Sequence, residues 1–149
     1  MWRFVCYTIL ACLVLFGCDA TGSSPSNPSK SDAPAGMKVA LITPDAVSDS
    51  GWNALAYDGL MQVKKELGAT VDNQEAQGPK IKDAIRSYAQ KNYRLIFGHG
   101  YEYNEPMVQV AKDFPETVFI SSSGGQTAPN AGAFRFYLEQ GCYLGGMLA

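Results

Sequence analysis

Apolar residues fall along this chain in short bursts, and the spacing within the bursts alternates between two kinds. Lys38-Val39-Ala40-Leu41-Ile42-Thr43 is a near-continuous apolar run of strand-forming residues stopped by Pro44, which predicts a buried strand followed by a loop. Trp52, Ala56, Leu60, Val63 and Leu67 then share one helical stripe, with Asp49 or Ser50 as N-cap candidates and Gly68 as the stop. Ala69 to Val71 reads as a brief second strand. Ile81, Ala84, Ile85, Tyr88 and Ala89 define the inner face of a second helix over Lys80 to Lys91. A third strand follows at Tyr93 to Phe97, running into Gly98-His99-Gly100. Met107, Val110, Ala111 and Phe114 mark a helix from Asn104 that Pro115 closes, Thr117 to Ile120 a fourth strand, and Ala133 to Tyr137 a fifth. Another helix begins at Glu139 and continues to Ala149.

Strands and helices thus alternate, with hydrophobic strands and short connections. That pattern belongs to βαβ units on a doubly wound parallel α/β sheet covered by helices on both faces. Functional groups in such a sheet gather beyond the strand C-termini. The loops Thr43 to Trp52, Gly98 to Tyr103 and Ser121 to Thr127 are therefore where a site is expected.

The first thirty-six residues follow a different rule. After Met1-Trp2-Arg3, residues Phe4 to Phe16 contain no charge, a run with the length of a signal-peptide core and shorter than the ~20 residues a membrane-spanning helix needs. Leu15-Phe16-Gly17-Cys18 resembles the bacterial lipobox, which implies removal of residues 1–17 and diacylglyceryl attachment to the Cys18 sulfur. Two or three acyl chains on that residue would anchor the mature chain to the cell membrane, facing the periplasm or exterior of a bacterium. Residues 18–36 are rich in Ser, Pro, Gly, Asn and Asp and read as a disordered tether.

Composition narrows the chemistry further. The 149 residues carry 12 Lys and Arg against 14 Asp and Glu, and no basic run exceeds two residues, which argues against a nucleic-acid partner. Three of the four cysteines precede residue 19 and Cys142 stands alone, which is no disulfide framework. With His99 as the one histidine, neither a metal nor any other cofactor is expected. No nucleophile sits in a Ser/His/Asp set, and no GxGxxG follows the first strand, so an enzyme is not expected either. Ser121 to Gly125 looks superficially like a phosphate cradle, but no helix follows it directly and P-loop chemistry is rejected.

Several of these stretches in this order resemble the Bmp/PnrA-like basic membrane lipoproteins, solute-binding components of ABC importers with a type I periplasmic-binding fold. The matching features are the lipobox, the strand Val39 to Thr43, Asp49-Ser50-Gly51-Trp52-Asn53 with Asp58-Gly59, Leu95 to Gly100, Phe114-Pro115-Glu116, and Glu139 to Gly146. The resemblance covers Met37 to Ala149. It implies a receptor that binds purine nucleosides between two lobes and delivers them to an ABC permease. Residues 37–137 would then form the N-terminal α/β lobe and residues 138–149 the start of a second-lobe helix, with the second lobe itself absent.

Carried over by residue, the resemblance puts Trp52 at the family's base-stacking aromatic position, Asn53 at a neighbouring polar contact, and Asp45 at the acidic residue of the first loop. His99, set between two glycines after a strand, and Ser122 in the serine-rich loop are ligand-contact candidates from their own positions. A membrane-anchored sensor of the same fold, and a sugar receptor in which the aromatic stacks on a pyranose, stand beside the nucleoside reading.

Overall fold

In the computed structural model, residues 36–48 and 51–148 are described. The signal segment 1–17, Cys18, the tether up to residue 35 and the cap candidates Asp49 and Ser50 lie outside the described residues.

The most apolar run among the described residues becomes an inner strand of the sheet. Strand β1 (Lys38–Thr43) buries every residue after its first, because Val39 and Leu41 face one side and Ala40 and Ile42 the other. Helix α1 (Trp52–Leu67) occupies the expected residues and ends at Gly68, whose φ of +65° lets its amide reach Lys64 O. Lys64 and Lys65 in the last turn complement the helix C-terminus. Strand β2 (Thr70–Glu75), helix α2 (Lys80–Gln90) and strand β3 (Leu95–Gly98) follow. A 3-10 turn at Tyr101–Tyr103 then leads into α3 (Asn104–Ala111), β4 (Val118–Ser121), β5 (Ala131–Ala133) and α4 (Leu138–Leu148).

All five strands are parallel in the order β2-β1-β3-β4-β5. The expected doubly wound α/β sheet is therefore present, with its order reversing between β1 and β3. Helices α2 and α3 cover one face over a core that includes Ile42, Ile85, Ile96, Met107 and Phe119. Helix α1 covers the other face at β1 and β2, where Val39, Leu41, Leu60 and Ala69 are buried. Cover on that side is incomplete. Val118 and Phe134, on the β4 and β5 half, are 46% and 56% exposed.

Several boundaries differ from the sequence reading, each for a physical reason. β2 is twice the expected length, since its polar TVDNQE sequence forms an edge strand whose side chains alternate between sheet and solvent. β5 lies at Ala131–Ala133 and not at Ala133 to Tyr137. The pairing is made by small residues next to Asn130, whose amide nitrogen lies 3.2, 2.9 and 2.8 Å from the carbonyls of Ala111, Phe114 and Thr117. That same amide meets the carbonyls released at the end of α3, which stops at Ala111, before Phe114. β3 starts two residues later than expected, after a turn in which Asn92 takes a left-handed φ of +61°.

Candidate functional site

Two connections meet at the point where the strand order reverses: the one leaving β1 and the one leaving β3. Trp52, the first residue of α1, carries its indole out of the first connection, and His99 follows β3 directly. The two rings stack at 4.3 Å with an interplanar angle of 26°. His99 is also bonded to the backbone of the residue it stacks on, its Nε2 lying 2.9 Å from Trp52 O. A carbonyl only accepts, so Nε2 carries the hydrogen. The imidazole is 6% exposed and backs one face of an indole that remains 47% exposed. Phe136 meets the same indole edge-on at 5.8 Å and 77°, and Phe97 lies 6.4 Å from the histidine ring.

These rings stand at the mouth of a cavity of 360 Å³, within the ordinary size range of small-ligand pockets. It runs along the sheet beneath α1 past Leu41, Leu60, Leu95 and Phe97, and its polar side chains, His99 and Ser122, lie at the strand C-terminal end. Ser122 is 1% exposed and anchored by its amide, which donates to Gly98 O at 2.9 Å. Its Oγ has no hydrogen-bond partner among the described residues.

Gly98 lets the β3 end approach this closely. A Cβ there would fall 2.4 Å from Tyr103 Cβ and 2.8 Å from Met107 Cε. Tyr103 is fully buried and donates its hydroxyl to Ala76 O at 2.8 Å. Burial, then the neighbouring Glu102 and Asp45 carboxylates, push its pKa well above the ordinary tyrosine value.

The structure brings Trp52, His99 and Ser122 to one cavity. Asn53 is buried at the second position of α1 and does not line that cavity. Asp45 is exposed on the β2 side of its loop, where its carboxylate accepts from Gln77 Nε2 at 2.9 Å and its carbonyl accepts from Thr43 Oγ1, also at 2.9 Å. The loop Ser121 to Thr127 leads into β5, so no helix N-terminus stands behind its serines. No group of three or more His, Cys, Asp or Glu side chains able to hold a metal occurs among the described residues. Among them too, no helix is long and apolar enough to cross a membrane.

Two residues of this region escaped the sequence reading. Phe136 was placed in a strand, although an aromatic just past the last strand of a sheet end is in reach of that end's loops. Asn104 was read as a helix boundary, while its partners lie 22 residues away.

Residues 37–149 match the profile of a family described as the PnrA-like ABC transporter substrate-binding proteins, Bmp. The transcriptional activator protein med of Bacillus subtilis is 30% identical over 114 residues, covering 75% of this chain and 36% of that protein. A purine-binding protein of Brucella abortus is 29% identical over 117 residues, covering 76% and 33%. Among solved structures, an ABC transporter solute-binding protein from Conexibacter woesei superposes with a TM-score of 0.54 at 30% identity, covering 65% of this chain and 34% of that one. The chain thus spans about a third of the length of these relatives.

Proposed function

The chain belongs to the Bmp family of PnrA-like ABC transporter substrate-binding proteins, and from that premise we propose that it supplies the ligand-receiving lobe of a lipid-anchored importer receptor for purine nucleosides or related small molecules. The family is one of transporter substrate-binding proteins and not of enzymes. The observation that carries the ligand reading is the half-open indole of Trp52, backed by His99 at the point where the strand order reverses. A flat base stacks on such a face, and stacking of this kind contributes roughly 1–3 kcal/mol per base. The purine-binding relative supports the same class of ligand.

In this reading Trp52 holds the base, and His99 and Ser122 meet polar atoms at its edge. Asp45, held by Gln77 on the β2 side of its loop, and the buried Asn53 stand outside the cavity, and neither is assigned a ligand contact in this reading. Cys18 carries the lipid anchor, residues 18–36 are the tether, and an ABC permease receives the ligand. In this reading the site would form one wall of a cleft between two lobes. A single wall leaves much of a ligand in water, whereas closed pockets bury 70–90% of one, so this chain by itself is expected to bind no more tightly than millimolar.

Titrating adenosine, adenine, ribose and glucose into the isotope-labelled full chain tests the proposal by NMR. Saturable millimolar shifts at the Trp52 indole with adenosine and adenine, and none with ribose, are expected. Shifts with glucose alone would replace the nucleoside by a sugar, and submicromolar stoichiometric binding would overturn the one-wall reading. The similarity to a transcriptional activator favours a second reading, a membrane-anchored regulator of the same fold. Co-purification of the full chain with a permease separates the importer from it.

A further inference from the structure

The loop Ser121 to Thr127 presents Ser122 to the cavity, yet its residues beyond Ser121, two serines and two glycines among them, hold no regular structure. Beyond the anchor of the Ser122 amide on Gly98 O, a second fixing point lies on a different connection. Asn104, 4% exposed at the start of α3, donates from Nδ2 to Gln126 O at 3.0 Å and accepts the Gln126 N–H on Oδ1 at 2.9 Å. One carboxamide thereby engages both backbone groups of one residue. Gly124 rests against the same side chain with a φ of +139°, and a Cβ there would lie 2.2 Å from Asn104 Cγ. Within the loop, Ser121 Oγ donates to Ser123 O at 2.7 Å, closing the turn around Ser122.

We propose that Asn104 is a positioning residue of the ligand site: its carboxamide clamps the Ser121 to Thr127 loop to the start of α3 and so holds the buried, unpartnered Ser122 Oγ in the cavity wall, available to a hydroxyl or ring nitrogen of a bound molecule. The physical reason is the cost of that hydroxyl. A buried polar group without a partner lowers stability, and a loop free to relax would turn it out to water. The hydroxyl stays buried because Asn104 denies the loop that freedom. The second half of the claim, contact with ligand, rests on the nucleoside reading; the first half does not.

A ligand-free double-mutant cycle on the full chain tests the clamp. Ser122→Ala is expected to raise Tm by about 4–8 °C, since it removes the unpaired group. In an Asn104→Ala background, where the released loop hydrates the hydroxyl, that gain should vanish. Hydrogen exchange of the amides in residues 122–127 should accelerate in Asn104→Ala while β1 and α2 keep their protection. Gly124→Ala opens the same clamp from the other side and replaces Asn104→Ala in the cycle if the latter does not fold. An equal Tm gain in both backgrounds, or a loss of stability in Ser122→Ala alone, would overturn the proposal.

Adenosine titration provides the second readout. Asn104→Ala and Ser122→Ala should each weaken binding by about 2- to 12-fold, the worth of one hydrogen bond, and together by no more than either alone. Additive losses would show that Asn104 does not act through Ser122. Absence of adenosine binding by the wild-type chain counts against the nucleoside reading, while the thermal cycle still decides the clamp.

Discussion

Replacing Trp52 by Ala separates a ligand platform from a packing residue, because the structure assigns the ring a measurable share of each. The residue is 47% exposed, so roughly half of the ~250 Å² that a large aromatic can bury is withdrawn from water. At ~25 cal/mol/Å² that area corresponds to a ceiling of about 3 kcal/mol, and compactness of the unfolded chain reduces it to about 2 kcal/mol. Loss of the stack on His99 adds about 0.5–1.5 kcal/mol to that area figure. Loss of the exposed face as a stacking surface should in addition weaken adenosine binding by about 1–3 kcal/mol, roughly 5- to 150-fold. Trp52→Phe keeps a flat ring at the same place and should retain most of the binding while giving up part of the stability. Urea unfolding followed by circular dichroism measures the first quantity, and NMR titration of the full chain the second. If Trp52→Ala loses the expected stability but binds adenosine as well as the wild type, the indole is a packing residue and the platform argument is wrong.

Cys18→Ser should abolish acylation and leave residues 1–17 attached, which mass spectrometry of the membrane fraction detects; a wild-type chain without acyl groups would remove the anchor from the proposal. Gly98→Ala drives a methyl group into Tyr103 and Met107 and should cost about 1–3 kcal/mol or more, read as a lower urea midpoint; unchanged stability would mean that the 3-10 turn yields freely. Burial, reinforced by Asp72 at Tyr88 and by Glu102 and then Asp45 at Tyr103, raises both tyrosine pKa values in the folded state. Their contribution is therefore complete below the unfolded value of about 10 and is lost as pH rises above it, by about 1.4 kcal/mol per pH unit for each buried ring. Thermal unfolding across the alkaline range should show this slope, reduced in Tyr103→Phe, and ionisation of all tyrosines near pH ~10 with the fold intact would contradict it.

The elements that were legible in the sequence are those whose burial is decided locally. Helix α1 could be read to the residue because an apolar stripe begins at Trp52 and a glycine stands where the backbone must turn left-handed. β1 was legible because a strand buried on both faces leaves no polar position between Val39 and Ile42. β2 was not, since an edge strand with one solvated flank resembles a loop in composition. At β5 the aromatics Phe134, Phe136 and Tyr137 suggested a strand, but they are 50–57% exposed, and pairing is decided by Asn130 binding three carbonyls of other elements. The site divides in the same way. Trp52, His99 and Ser122 could be placed because each lies next to the end of an element, and every strand of a parallel sheet delivers its C-terminal end to one rim. Asn104 could not, because a side chain that grips a backbone 22 residues further on leaves no periodic trace.

The strand order also bears on how the molecule is made. β2 adds to one side of β1, and β3, β4 and β5 then add outward on the other, each pairing with the strand last laid down on that side. Among the described strands, a chain emerging N-terminus first never has to open a finished ladder to admit a later strand, and apart from β1 to β3, which spans two βα units, each closure spans about one or less, which keeps its entropic cost small. Among the described strands the most apolar segment, Val39 to Ile42, is also the first to emerge, and it waits only for β2 before one of its edges is taken. Because β2 is polar along most of its length, the edge it adds is one that other chains pair with poorly, while the remaining edge of β1 waits for β3.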